Sequence, residues 1–342
     1  MWSAHLEKSP GPSFLPPWSS FLGAQFFRYG TCIISLMFKD LGIYKKGGVI
    51  TERNPEYCTV RIRIPAGMVS PDQLRGIADI VERYGGDSVQ LTVRQTIELP
   101  HMPPERLVEI SRDLSANGTP LGAEKEEVKN IIACTGNQRC IFGNIDAVAL
   151  AREIDQRLFG REMPVKLRIA VSGCPNACTS PMLNEIGIIG KIEPMRVAGM
   201  CTGCGTCVEY CKEGAIAIKK GISVLDSAKC IECGVCIRSC PYDLLKSSGP
   251  YYLITVGGNR GRHPKMGREL VAVRTGKAAA DVVEKVVTWV YRKAWSGRLL
   301  SDQLDDLQFE AFKAEIRNQV PEEDLFRPGV IADDEVTAGS GT

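Results

Sequence analysis

Apolar and polar positions alternate over residues 59–64 (Thr-Val-Arg-Ile-Arg-Ile), the period-two pattern of a half-buried strand. A helix is expected over 71–84, because Ser70-Pro71 suits a first turn and Gly85 suits a stop. A strand over 88–93 and a helix over 104–117, opened by Pro103-Pro104 and closed by Gly118, complete a first unit. A second unit follows, with an apolar stretch at 129–133, a helix at 144–158, and strands at 165–171 and 185–192. The chain then becomes rich in cysteine and glycine until a last strand at 251–256. Helices at 281–295 and 301–318 precede a polar tail. The apolar face Val282, Val283, Val286, Val287 and Val290 is read as core packing, with a docking surface for a partner as the alternative. Strands and helices in this order imply an α+β fold.

The length of 342 residues suggests two or three domains, and 44% hydrophobic residues suffice for an ordinary core. A net charge of +2 gives no global pull toward nucleic acid or an acidic membrane. The apolar stretch at 21–37 carries Gln25 and Arg28 and is too short to span a bilayer, so no membrane span is expected. Residues 1–36, rich in proline, serine and aromatics, are expected to be a disordered extension or a mis-assigned start before Met37.

Cysteine changes the picture, with fourteen in the chain. Cys201, Cys204, Cys207 and Cys211 form C-x2-C-x2-C-x3-C, and Cys230, Cys233, Cys236 and Cys240 repeat it before Pro241. This is bacterial ferredoxin spacing, in which three thiolates of one run and the last of the other hold each cubane. The expected ligand sets are therefore Cys201, Cys204, Cys207, Cys240 and Cys230, Cys233, Cys236, Cys211. Zinc is the alternative, but it needs two cysteine pairs per site and gains nothing from this spacing. Cys134 and Cys140 (C-x5-C) and Cys174 and Cys178 (C-x3-C) make a further set of four, while Cys32 and Cys58 stand alone. With no cleavable signal evident, reduced thiols in a cytoplasmic protein are expected rather than disulfides.

The C-x5-C pair followed by Gly173-Cys174-Pro175-Asn176-Ala177-Cys178 resembles the sirohaem-[4Fe–4S] motif of the sulfite and nitrite reductase family. The resemblance covers roughly 40–300. It implies that Cys178 bridges a cluster to the sirohaem iron, and that Asn176 belongs to the cofactor site. Thr92-Val93-Arg94-Gln95 resembles the family's T-x-R-Q strand, which makes Arg94 an anion clamp. Lys129 in Val128-Lys129-Asn130 stands where arginine is usual, and Arg168 in Pro164-Val165-Lys166-Leu167-Arg168 stands where lysine is commoner. Arg94, Lys129, Lys166 and Arg168 are thus the expected catalytic cations. Lys166 and Arg168, two apart, share a face. Arg61-Ile62-Arg63 resembles the strand whose arginines hold sirohaem carboxylates, and the segment with Gly257, Gly258 and Arg260 resembles the family's glycine-rich cradle.

The implied organisation is a ferredoxin-like half domain at 37–120 and a sirohaem and cluster domain at 121–196. An all-loop domain with two [4Fe–4S] clusters is inserted at 197–247. A return strand and helix at 248–300 and a C-terminal helix and tail at 301–342 complete it. The resemblance implies six-electron reduction of sulfite to sulfide, using sirohaem and three [4Fe–4S] clusters fed by a donor subunit or ferredoxin. A nitrite reductase and a non-catalytic electron-transfer subunit are the alternatives. Because the chain has one copy of a unit that relatives carry twice, pairing with itself or a homologous subunit is expected.

Overall fold

Val60, Ile62 and Ile64 are at most 3% exposed, while Arg61 and Arg63 between them remain partly accessible. The computed structural model describes residues 47–196 and 201–328, so the expectation for residues 1–36, and Cys32, lie outside the described residues. Strands β1 (Val49–Thr51), β2 (Cys58–Ile62), β3 (Gln90–Leu91) and β4 (Ile97–Met102) form an antiparallel sheet in the order β1-β2-β4-β3. Helices α1 (Pro71–Arg83) and α2 (Leu107–Ala116) pack together beside it. A capping box closes the start of α1: Ser70 Oγ accepts from the Gln73 N–H, and the Gln73 side chain accepts from the Ser70 N–H.

The strand expected over 88–93 is cut short. Thr92 Oγ1 accepts from the N–H groups of Arg94 and Thr96, and Gln95 takes φ +54°, so residues 92–96 form a tight turn instead. Strand β4 was not foreseen, since Pro100 weakens a strand reading. A register shift against β2 between Cys58 and Val60 accommodates Pro100 and His101.

The second sheet begins with three parallel strands, β5 (Ile132–Ala133), β6 (Ile169–Ser172) and β7 (Ile186–Ile192), with α3 (Ala147–Leu158) between the first two. The chain then leaves the sheet through β8 (Met195–Arg196), α4 (Thr206–Tyr210), the hairpin β9 (Ile216–Lys219) and β10 (Ile222–Leu225), α5 (Val235–Ser239), and β11 (Leu245–Lys246), which pairs with β8. This segment is therefore not all loop, because each cysteine run winds into a short helix that ends just before its last cysteine. Strand β12 (Pro250–Val256) returns beside β7, and β13 (Arg268–Val273), which was not expected, forms the edge.

Helix α6 (Gly276–Lys293) begins five residues before the expected 281, because Thr275 Oγ1 caps the Ala278 N–H. Its valines are at most 1% exposed against α3 and β12, which makes them core. The helix expected at 301–318 is two, α7 (Leu300–Gln303) and α8 (Phe309–Asn318), broken where Gln308 turns to φ +56°. Among the described residues no helix is long and apolar enough to cross a membrane.

Candidate functional site

Three parallel strands present their N-terminal ends at one edge of the sheet, and the residues just before them are polar. Lys129 precedes β5, Lys166 and Arg168 precede β6, and Asn184 and Glu185 precede β7. With Arg61, Arg94, Arg260, Arg262 and His263 they line a cavity of about 590 Å³. All four expected catalytic cations therefore meet at one place, and Lys166 and Arg168 share it as their spacing requires.

Arg94 reaches this edge from the β3–β4 turn. Its Nη1 donates to Asn184 Oδ1 at 2.8 Å and its Nη2 to the Asn130 carbonyl at 2.6 Å. Its Nε is buried without a partner. Burial, with Arg168 as the strongest repelling charge, pushes its pKa down to about 10, which leaves it cationic at neutral pH. The turn is pinned to the second sheet by Gln95, which exchanges hydrogen bonds of 2.7 and 2.9 Å with the Ala133 carbonyl and N–H. Asn130 fixes it from the other side, donating to the Arg94 carbonyl at 3.0 Å and accepting from the Ile64 N–H at 3.2 Å.

The other cations are held by carboxylates. Glu185, almost fully buried, takes the Arg168 guanidinium at 2.5–3.1 Å and the Arg168 N–H at 2.9 Å, which raises the arginine's pKa. Glu124 pairs with both Arg61 and Lys129, and its carbonyl accepts from Lys129 Nζ at 2.5 Å. Burial nevertheless holds the Lys129 ammonium below its ordinary pKa. Lys166 is exposed at the rim. The site thus combines fixed positive charge with one lysine disposed to give up a proton.

Not every expected residue joins it. Arg63 is committed elsewhere: its guanidinium binds the buried Asp155 carboxylate of α3, with Nε at 2.8 Å, and lies 4.4 Å above the Phe159 ring. Strand β2 ends at Ile62, so Arg63 leaves the sheet while Arg61 stays with Glu98 and the cavity. Gly257 and Gly258 back the cradle and do not line it. A Cβ on Gly258 would lie 2.3 Å from the Met182 carbonyl oxygen, so the glycine permits close packing. Arg260 does line the cavity, and Asn176 is exposed with its N–H directed at the Cys174 thiol. Glu124, Asn184, Glu185 and His263 were not anticipated.

The cysteines gather as three sets. Cys134 follows β5 directly and Cys174 follows β6 by two residues, and the thiols of Cys134, Cys140 and Cys178 are near enough to Cys174 to raise its pKa beyond the larger effect of burial. The Gly173 N–H donates to Cys134 Sγ at 3.0 Å. Cys201, Cys204, Cys207 and Cys240 line a second small cavity, and Cys211, Cys230, Cys233 and Cys236 a third. Each set brings four thiols together, the number of ligands a cubane takes. Cys58 is 2% exposed, its thiol donates to the Met102 carbonyl, and burial pushes its pKa up to about 12, so it packs as a small apolar residue.

Residues 50–117 match the nitrite/sulfite reductase ferredoxin-like half domain, and residues 124–323 match the nitrite and sulphite reductase 4Fe-4S domain. The chain belongs to this reductase family. It is 31% identical over 275 residues to an uncharacterized protein of Methanocaldococcus jannaschii, spanning 80% of this chain and 96% of that one. It is 30% identical over 186 residues to one of the subunits of the anaerobic sulfite reductase of Salmonella typhimurium, which is 49% of this chain and 55% of that one. The chain thus spans about half the length of that Salmonella protein. Its fold is similar to the crystal structure of a dissimilatory sulfite reductase I, with a TM-score of 0.64, 19% identity, and coverage of 95% of this chain and 94% of that one. Family membership and the gathered thiols support a sirohaem and a [4Fe–4S] cluster on this chain.

Proposed function

We propose that this chain is a sirohaem- and iron–sulfur-dependent reductase that takes sulfite to sulfide with six electrons. The observation that carries the reading is the convergence of Arg94, Lys129, Lys166 and Arg168 on one cavity, at the edge of strands whose far ends bear Cys134 and Cys174. A small oxyanion needs fixed positive charge to bind and a proton source to lose oxygen as water. Arg94 and Arg168 supply the charge, held in place by Asn184 and Glu185. Lys129, with its lowered pKa, supplies the proton. Arg260 and Arg262 are available to sirohaem carboxylates, whereas Arg61 is already paired with Glu98 and Glu124.

Three [4Fe–4S] clusters fit the three cysteine sets: Cys134, Cys140, Cys174, Cys178; Cys201, Cys204, Cys207, Cys240; and Cys211, Cys230, Cys233, Cys236. The last two make residues 197–247 an inserted ferredoxin-type domain. When bound, sirohaem and the clusters supply the electron transfer that side chains cannot.

The cation cavity and the Cys134 set lie at opposite ends of the same strands. From Arg168, just before β6, to Cys174, two residues past its end, the chain spans the strand and at most about 20 Å. The working site is therefore completed by a second copy or a homologous subunit, the cavity of one facing the cysteines of the other. The donor is a ferredoxin or donor subunit.

Iron analysis with a visible spectrum tests the reading. About thirteen irons per chain, three cubanes and one haem iron, with sirohaem bands and sulfite-dependent oxidation of a reduced dye, are expected. About eight irons and no haem bands would point instead to an electron carrier. Turnover of nitrite in preference to sulfite would move the substrate assignment.

A further inference from the structure

The two ferredoxin-type cysteine sets are not equivalent in their surroundings. Every residue lining the Cys201, Cys204, Cys207, Cys240 cavity belongs to the inserted segment, and Cys204 and Tyr242 among them are exposed. The Cys211, Cys230, Cys233, Cys236 set sits against the body of the protein. Ile192, the last residue of β7, donates its N–H to the Glu232 carbonyl at 2.8 Å, and Lys191 and Tyr251 both bind the Glu232 carboxylate. Gly234 is obligatory at this contact: it has φ +71°, and a Cβ there would lie 2.1 Å from Ile192 Cγ2.

One side chain joins this set to the next. Asn144 is 8% exposed and follows Cys140 by four residues. Its Nδ2 donates to the Cys233 carbonyl at 3.4 Å, and its backbone N–H donates to the Gly173 carbonyl at 2.7 Å. Gly173 in turn donates to Cys134 Sγ at 3.0 Å and is bonded to Cys174. Arg238 of α5 locks the arrangement, donating to Asn144 Oδ1 at 3.1 Å and to the Cys233 carbonyl at 3.2 Å. A cysteine of one set and two of another are thus connected through Asn144 and Gly173, with each link a hydrogen bond or a covalent bond.

Resting on the function proposed above, we infer that Asn144 and Arg238 are positioning residues of a relay between the Cys211 and Cys134 sets. Electrons enter at the Cys201 side and leave from the Cys211 side, crossing to the Cys134 set through the Asn144 contact. Each crossing moves one electron: the centre on the Cys211 side is oxidised by one and that on the Cys134 side is reduced by one. No bond is made or broken. The exposed end with Cys204 and Tyr242 is then where a one-electron donor is received.

Rapid mixing of the fully loaded protein with dithionite tests this, following the iron–sulfur and sirohaem absorbances separately. In Asn144→Ala and in Arg238→Met, the iron–sulfur absorbance is expected to bleach at the native rate, while sirohaem reduction slows severalfold. Iron content should stay native, which separates a positioning role from a folding defect. Native sirohaem reduction in both variants at full iron content would overturn the inference and leave the proposed function standing. So would slowing confined to the initial bleach. Wild-type protein without sirohaem bands would instead overturn the function, and the relay with it.

Discussion

Arg94 Nη1 donates to Asn184 Oδ1 at 2.8 Å across ninety residues of sequence, and Asn184 is itself fixed by its Nδ2 bond to the Ser180 carbonyl at 2.8 Å. The guanidinium is therefore immobile before any anion arrives, and its Nε remains unsatisfied inside the protein. A preorganised donor of this kind costs no rearrangement when charge builds up. Arg94→Ala should lower sulfite turnover by about 100-fold or more, the usual loss for one such donor, while the cofactor spectrum stays native. Because the Arg94 pKa is about 10, the charge is complete below that value and anion binding should weaken as pH rises through it. Full activity in Arg94→Ala would remove it from the site.

Lys129 and Arg168 divide the remaining work by chemistry. Arg168 is locked to Glu185 and keeps its charge, whereas burial and the neighbouring cations make Lys129 readier to release a proton. Lys129→Arg should preserve positive charge and so leave KM near native, but lower kcat. A variant with unchanged kcat would show that the proton comes from elsewhere.

The grouping of the cysteines was legible in the sequence because ligand spacing is local: a C-x2-C-x2-C run carries its own turn, and its repeat names the partner set. The cavity was legible only in part. Lys166 and Arg168 share a face by strand periodicity, but Glu124, Asn184 and Glu185, which hold the cations, are brought in by sheet topology that no local pattern records. Arg63 shows the converse error. Its spacing from Arg61 is right for a shared face, yet β2 ends between them and a buried carboxylate on α3, ninety-two residues away, claims the side chain.

That pairing has a measurable consequence. The Asp155 side chain is completely buried, and its Oδ1 already lacks a partner. Arg63→Ala would leave the carboxyl alone in the interior, at a cost of about 3–5 kcal/mol. Sirohaem content per folded chain should not change, because Arg63 lies off the cavity. Loss of sirohaem without loss of stability would restore the cofactor role that the motif suggested.

Glu127 gives a pH signature. It is 2% exposed, its Oε2 has no partner, and burial raises its pKa from 4.5 to about 7. The folded chain thus binds a proton more tightly than the unfolded chain. This contribution is fully present below pH 4.5 and is lost as pH rises to about 7. Glu127→Gln should remove that dependence and stabilise the protein at pH 8 by up to ~3 kcal/mol. Chemical denaturation at pH 5 and pH 8 measures both effects, and an unchanged difference between the two pH values would exclude Glu127 as its source.

A composite site makes a prediction that a site within one chain cannot. Arg94 and Cys178 belong to different halves of the proposed assembly, the cavity of one copy and the cysteine set of its partner. Each substitution, Arg94→Ala or Cys178→Ser, should by itself inactivate both sites of a symmetric dimer. In a hybrid dimer, one site collects both defects and the other is assembled from two intact halves. Random pairing of equal amounts makes half the dimers hybrids with one working site of two, so about a quarter of native activity should return. If cavity and cysteines served one another within a single chain, every chain in the mixture would carry a broken site, and mixing would restore nothing. Co-expression with two different affinity tags, followed by purification of the doubly tagged dimer, isolates the hybrid, and its sulfite turnover decides between the two arrangements.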